Sequence, residues 1–132
     1  MSNFSIEEYT QSKVEIDKVI KNCEKILPKF QLGSSQHTLL INRINALSIG
    51  LTLVEMKLSH SNLKIMYSKE EIIHAIKPIE SIIHKCKKAQ SKFELNSKQY
   101  NRYSPLINSM LVCKTLMEEQ YQSISQSSNV FK

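Results

Sequence analysis

The sequence predicts an all-α fold, an antiparallel four-helix bundle built from two tandem helical hairpins, and three observations lead there. Only two Gly and three Pro punctuate 132 residues, too few for β-rich or doubly wound α/β folds with their many tight turns. An ungapped self-match at an offset of about 63 residues aligns residues 4–58 with residues 67–121, the mark of a duplicated unit. Each copy also opens with the same helix-start pattern, Ser5 with Glu8 and Ser68 with Glu71, a serine hydroxyl and a glutamate three residues on that can cap each other's amides.

The repeat extends well past those caps. Ile16, Ile20, Cys23 and Lys25 recur as Ile79, Ile83, Cys86 and Lys88; Lys29, Phe30, Leu32, Ser34 and Gln36 recur as Lys92, Phe93, Leu95, Ser97 and Gln99. Ile44, Asn45, Thr52, Leu53 and Glu55 recur as Ile107, Asn108, Thr115, Leu116 and Glu118. The first helix is expected over residues 5–30, where Ile16, Ile20, Cys23, Leu27 and Phe30 alternate steps of four and three, the spacing of one buried stripe. Gly33 then suits a left-handed helix stop and Ser34 a new N-cap. A second helix over 34–59 carries Leu40, Ile44, Leu47, Leu51, Val54 and Leu58 on its inner face.

A linker over 59–67 leads to the second hairpin, 67–121. Its first helix, 68–94, buries Ile72, Ile76, Ile79, Ile83 and Cys86; Asn96 and Ser97 replace Gly33 and Ser34 at the turn. The last helix begins at Lys98 or at Pro105, since proline fits a first helical turn, and a polar tail rich in Ser, Gln and Asn follows from 122 to 132. The chain forms a single domain, because one hairpin of this size cannot bury both inner faces and two stacked copies can.

Composition narrows function more than it defines it. The amino-terminal ten residues lack the basic and apolar regions of a secretion signal; the longest nearly apolar run, Ala46 to Val54, is about half a bilayer span; and Cys23, Cys86 and Cys113 are an odd, unpaired set. A cytoplasmic protein in a reducing compartment is expected, with no membrane contact. Cys23 and Cys86 hold equivalent stripe positions and read as small buried hydrophobes. Of the four histidines, His37 stands where the second copy has Tyr100, and no Glu-x-x-His pair, Ser-His-Asp set or phosphate loop is present, so no catalytic residue, metal site or cofactor is expected.

Two surface features remain. Asn45, Thr52 and Glu55, repeated as Asn108, Thr115 and Glu118, follow spacings of seven and three that align each trio on one helix edge. This stripe is a candidate for recognising a partner, or for inter-helix hydrogen bonds that fix register. Lys85, Lys88, Lys92, Lys98 and Arg102, in a segment whose one acid is Glu94, form a candidate face for an anionic partner in a chain of net charge +6, with a solvated lysine surface as the alternative.

The elements Gly33, Ser34, Ser35, Gln36, His37, Thr38, Leu39, Leu40, then Asn42, Arg43, Ile44, Ala46 and Leu47, resemble a motif in small uncharacterised helical-hairpin proteins of Gram-positive bacteria. That resemblance implies a helical hairpin and no activity. In format the chain also resembles bacteriocin immunity proteins, an analogy of fold alone. The expected function is therefore non-catalytic binding of a protein partner or of a second copy, with weak nucleic-acid binding through the lysine face as the alternative.

Overall fold

The computed structural model describes residues 4–60 and 67–130, and side chains as far as residue 125. The described residues are helical, with no strand among them. Four α-helices, α1 (Ile6–Ile26), α2 (Ser35–Ser59), α3 (Lys69–Gln90) and α4 (Lys98–Val130), pack together, and a short 3-10 turn, Leu27–Lys29, follows α1.

The helix starts follow from local chemistry. Ser5 Oγ accepts from the Glu8 amide at 3.1 Å while Glu8 Oε1 accepts from the Ser5 amide at 3.0 Å, and Ser68 with Glu71 repeats both bonds at the same distances. Each reciprocal cap satisfies two amides that a helix start leaves open. Phe4 staples the first of these starts by packing edge-on to Tyr9, ring centroids 5.8 Å apart. Ser34 caps α2 by accepting from the His37 amide, and Ser97 caps the start of α4 by accepting from the Tyr100 amide, each at 3.2 Å. The residues just before these caps, Gly33 and Asn96, both have positive φ, 84° and 67°, the left-handed turn that glycine and asparagine enter most readily.

Helix ends depart from the sequence expectation. α1 stops at Ile26 and tightens into the 3-10 turn at Pro28, because proline has no N–H to donate back into the helix. α3 passes through Pro78 and ends at Gln90, short of residue 94. α4 begins at Lys98, runs through Pro105 without a break and continues to Val130, replacing the tail expected from residue 122. The turn before Pro105 is held from outside: Gln90 Nε2 donates to the Tyr100 carbonyl and to Ser104 Oγ, and Tyr103 stacks on Phe93 at 6.3 Å. α2 ends with His60 in a left-handed conformation, φ 53°; the rest of the expected linker, residues 61–66, lies outside the described residues.

The core follows part of the stripes the periodicity marked: Phe30, expected on the buried stripe, is exposed, and Ile20, Leu27, Ile44, Leu51, Leu58 and Ile76 are half-buried. Ile16, Leu47, Val54, Ile72, Ile79, Met110, Cys113 and Met117 are fully buried, the larger aliphatic ones contributing roughly 1.5–3 kcal/mol each. Within this core α1 packs on α2 and α4, α3 packs on α2 and α4, and α1 and α3 stay apart. The other diagonal closes: α2 meets α4 at Gly50, where a Cβ would stand 2.7 Å from Cys113 Sγ and 3.5 Å from Met117 Cε. Gly50 reads in sequence as an interruption of an apolar run; in the fold its missing side chain is what lets two helices approach. By length and composition α2 is apolar enough to cross a bilayer, yet its Leu40, Ala46, Leu47, Leu53 and Val54 lie in this core.

Candidate functional site

A cavity of about 570 Å³ opens between the first turns of α1 and the first half of α4. α1 contributes Glu7, Glu8, Gln11 and Ser12; α4 contributes Asn101, Ser104, Pro105, Asn108, Ser109 and Val112. The two capped helix starts, at Ser5 and Ser97, fix the backbones that present these side chains.

Most of the polar groups in the groove are oriented by bonds inside their own helix. Ser12 Oγ donates to the Glu8 carbonyl and Ser109 Oγ to the Pro105 carbonyl, both at 2.7 Å, so the hydroxyl protons of these two buried serines are held within their own helices. Gln11 Nε2 donates to Glu15, and Asn101 Nδ2 to the Asn96 carbonyl. Pro105, lacking an N–H, cannot donate to the carbonyl of Asn101 four residues earlier. Glu7 and the Asn108 amide make no hydrogen bond or ion pair among the described residues. The groove therefore has a mostly apolar accessible lining, with the carboxylates of Glu7 and Glu8 and the amides of Gln11, Asn101 and Asn108 as its polar part, since Ser12 and Ser109 are themselves buried. It suits a donor-rich or cationic group with a hydrocarbon stem. Its lining holds neither histidine nor cysteine, and its ionisable groups are Glu7 and Glu8.

The sequence-marked residues fall in different places. Of the repeated stripe, Asn108 lines the groove, while Asn45 is exposed on α2. Thr52 donates to the Ser48 carbonyl within its own helix. Glu55 pairs with Lys13 of α1 at 3.5 Å, both side chains about half exposed. Thr115 is half-buried and Glu118 exposed on α4. Lys85, Lys88, Lys92, Lys98 and Arg102 are all exposed and form no ion pair among the described residues. Lys87 and Lys88 occupy the last turn of α3, where positive charge also complements the helix dipole.

The cysteines are free thiols. Cys113 is fully buried and burial pushes its thiol up to about 12. Cys23 is buried but Cys86 is only half-buried; burial raises both thiols above their usual range, and the Arg43 guanidinium partly opposes that rise in each. Among the described residues no group of three or more His, Cys, Asp or Glu gathers closely enough to hold a metal ion.

Sequence reasoning missed the groove and Arg43, whose buried Nε and Nη2 atoms have no hydrogen-bond partner among the described residues. The groove joins residues about 90 positions apart, which no local pattern links; the signal available was that Ser12 and Ser109 fall on stripes otherwise apolar. No family model matches this chain, and neither the curated proteins nor the solved structures give a match.

Proposed function

We propose that this protein is a non-catalytic helical module that binds another protein through the α1/α4 groove. The observation that carries the reading is the groove itself: an open, mostly apolar lining edged by the carboxylates of Glu7 and Glu8 and by three side-chain amides. Such a site holds a protruding basic or amide-bearing side chain. Placing a photo-crosslinking residue at Asn108 or Gln11 tests it. One discrete protein adduct, or a crosslinked dimer of this chain, is expected from the groove and none from the same probe at Lys92. Equal labelling from both faces would refute it.

Support for the finer architecture comes from matched details. The duplicated capping boxes, the paired positive-φ turns at Gly33 and Asn96, and the meeting of the offset-equivalent residues Gly50 and Cys113 all fit two copies of one hairpin related by a pseudo-twofold axis. Antiparallel helices within each hairpin fit Lys13 near the start of α1 pairing with Glu55 near the end of α2, and Gln90 at the end of α3 bonding to the start of α4. A cytoplasmic location fits three free cysteines.

The second reading is nucleic-acid binding by Lys85, Lys88, Lys92, Lys98 and Arg102, supported by their exposure and lack of ion pairs among the described residues. It requires an affinity that falls steeply with salt, each neutralised phosphate steepening the logarithmic slope by about 0.9 on duplex DNA. Exposed lysines without base-reading geometry bind weakly and without sequence preference. Submicromolar, sequence-selective binding at physiological salt that is lost on replacing Lys85, Lys88 and Lys92 by Glu would place this reading first.

A further inference from the structure

Both hairpin turns carry the same pattern, Lys29, Phe30, Gln31, Leu32 in the first and Lys92, Phe93, Glu94, Leu95 in the second. The core does not account for it: Leu32 and Leu95 are 85% and 72% exposed, and Phe30 and Phe93 are exposed as well. Gly33 with Ser34 and Asn96 with Ser97 suffice to stop one helix and start the next. Apolar residues scattered singly over a surface are ordinary; the same exposed pair at both turns calls for another cause.

Charge distinguishes the two turns. Lys85, Lys87, Lys98 and Arg102 stand where the first copy has Asn22, Glu24, Ser35 and Leu39, and Glu94 is the one acid between Glu80 and Glu118. With Lys88 and Lys92 these are six exposed cations, on the end of α3, in the turn and at the start of α4, none in an ion pair among the described residues. The turn is also held in shape: the Ser97 amide donates to the Glu94 carbonyl at 3.0 Å, Asn101 Nδ2 to the Asn96 carbonyl at 3.3 Å, and Phe93 stacks on Tyr103. A fixed apolar tip flanked by unpaired cations matches the interface of an anionic bilayer, where hydrocarbon enters the headgroup boundary and cations stay at the charged surface. Duplex nucleic acid uses the cations but leaves Leu95 in water, and a leucine has no ring for a base to stack on.

We propose that the α3/α4 turn attaches the protein to anionic lipid surfaces, Leu95 and Phe93 entering the headgroup layer while Lys85, Lys87, Lys88, Lys92, Lys98 and Arg102 supply the attraction to the lipid charge. The expectation of no membrane contact rests on the lack of a signal and of a spanning run, neither of which a surface anchor needs. The anchor uses none of the side chains of the α1/α4 groove and stands whether or not that groove binds a protein. It competes with nucleic acid for the same lysines.

The chain has no tryptophan, so Leu95→Trp places a single reporter at this tip and Leu32→Trp places the same reporter at the other turn. Each is mixed at low ionic strength with vesicles of phosphatidylcholine alone, and with vesicles in which about one-third of the lipid is phosphatidylserine. Emission from Leu95→Trp is expected to shift to the blue, and to be quenched by bromine-labelled acyl chains, with the anionic vesicles only; emission from Leu32→Trp is expected to stay in place. Co-sedimentation reads the same event without a reporter. The wild type is expected to pellet with anionic vesicles, Leu95→Asp to bind at least about tenfold more weakly, and Lys88→Gln with Lys92→Gln about 25-fold more weakly, at about fivefold per cation. All these positions are exposed, and circular dichroism checks that the helices persist. An unmoved tryptophan at position 95, equal shifts at both turns, equal binding to neutral and anionic vesicles, or undiminished binding by Leu95→Asp overturns the proposal. So does capture of duplex DNA, undiminished in Leu95→Asp, by a chain that ignores both kinds of vesicle, which returns the lysines to nucleic acid.

Discussion

The two hairpins share their boundaries and differ in their middles. Both open on a reciprocal Ser–Glu cap, turn through a positive-φ residue and restart on a serine. Between those points the chemistry separates: Ser12, Ser104 and Ser109, which give the α1/α4 groove its hydroxyls, have Ala75, Ile41 and Ala46 as their offset equivalents, and Arg43 has Leu106. The shared residues include those a hairpin needs in order to start and turn, and also Glu7, Glu8 and Asn108 of the groove. Those divergent residues stand where the molecule has a cavity or an unpaired donor.

The sharpest test of the comparison is the diagonal contact. Gly50→Ala places a methyl 2.7 Å from Cys113 Sγ, and overpacking of that kind is expected to lower stability by about 1–3 kcal/mol despite alanine's better helix propensity. Adding Cys113→Ala in the same chain should recover most of the loss, measured as a double-mutant cycle in urea. Additive losses would show that the two positions do not meet.

The thiols extend the contrast to pH. Cys113 is pushed up to about 12 by burial, from an ordinary value near 9, so the native state holds that proton after the unfolded chain has released it. Its contribution is intact below about pH 9 and is lost progressively as pH rises toward about 12. The alkaline loss of stability should therefore be shallower in Cys113→Ala than in the wild type. Alkylation of the native protein near neutrality should reach half-buried Cys86 before Cys23, and Cys113 last.

Smaller effects probe the shared parts. Ser5→Ala and Ser68→Ala should each cost about 1 kcal/mol, and should match each other because the two boxes have the same bond lengths. Smallest are the cross-helix ion pairs, Lys13–Glu55 at 3.5 Å and Lys114–Glu80 at 3.2 Å, which stand at unrelated positions of the two copies. Lys13→Ala and Lys114→Ala should each change stability by less than about 1 kcal/mol.

What was legible in the sequence follows from how local each cause is. Helix starts were readable at Ser5, Ser34, Ser68 and Ser97, since a cap is decided within four residues. Helix ends were not: the backbone of α4 persists through Pro105 because Gln90 and Phe93 on another segment hold the turn before it, information absent from the local pattern. Stripe periodicity places Ile16, Leu47 and Ile79 correctly inside, but assigns Cys86 a depth it only half reaches and takes no notice of Arg43. Periodicity ranks residues by face and says nothing of which donors will find acceptors. The groove depends on two helix starts meeting across the fold, so its serines look like ordinary exceptions until the helices are packed.

The Gly50–Cys113 contact also bears on ancestry. On the proposed pseudo-twofold arrangement this position lies on the axis, where each residue faces its own counterpart. In a dimer of identical hairpins the choice is then forced to be symmetric: glycine against glycine leaves a hole, and cysteine against cysteine crowds two sulfurs into one place. A small residue opposite a larger one becomes available only when both copies belong to one polypeptide and each gene half mutates separately. On that arrangement the close diagonal is a feature that only the joined chain can carry, and a hairpin cut from either half and asked to pair with its twin would have to do without it.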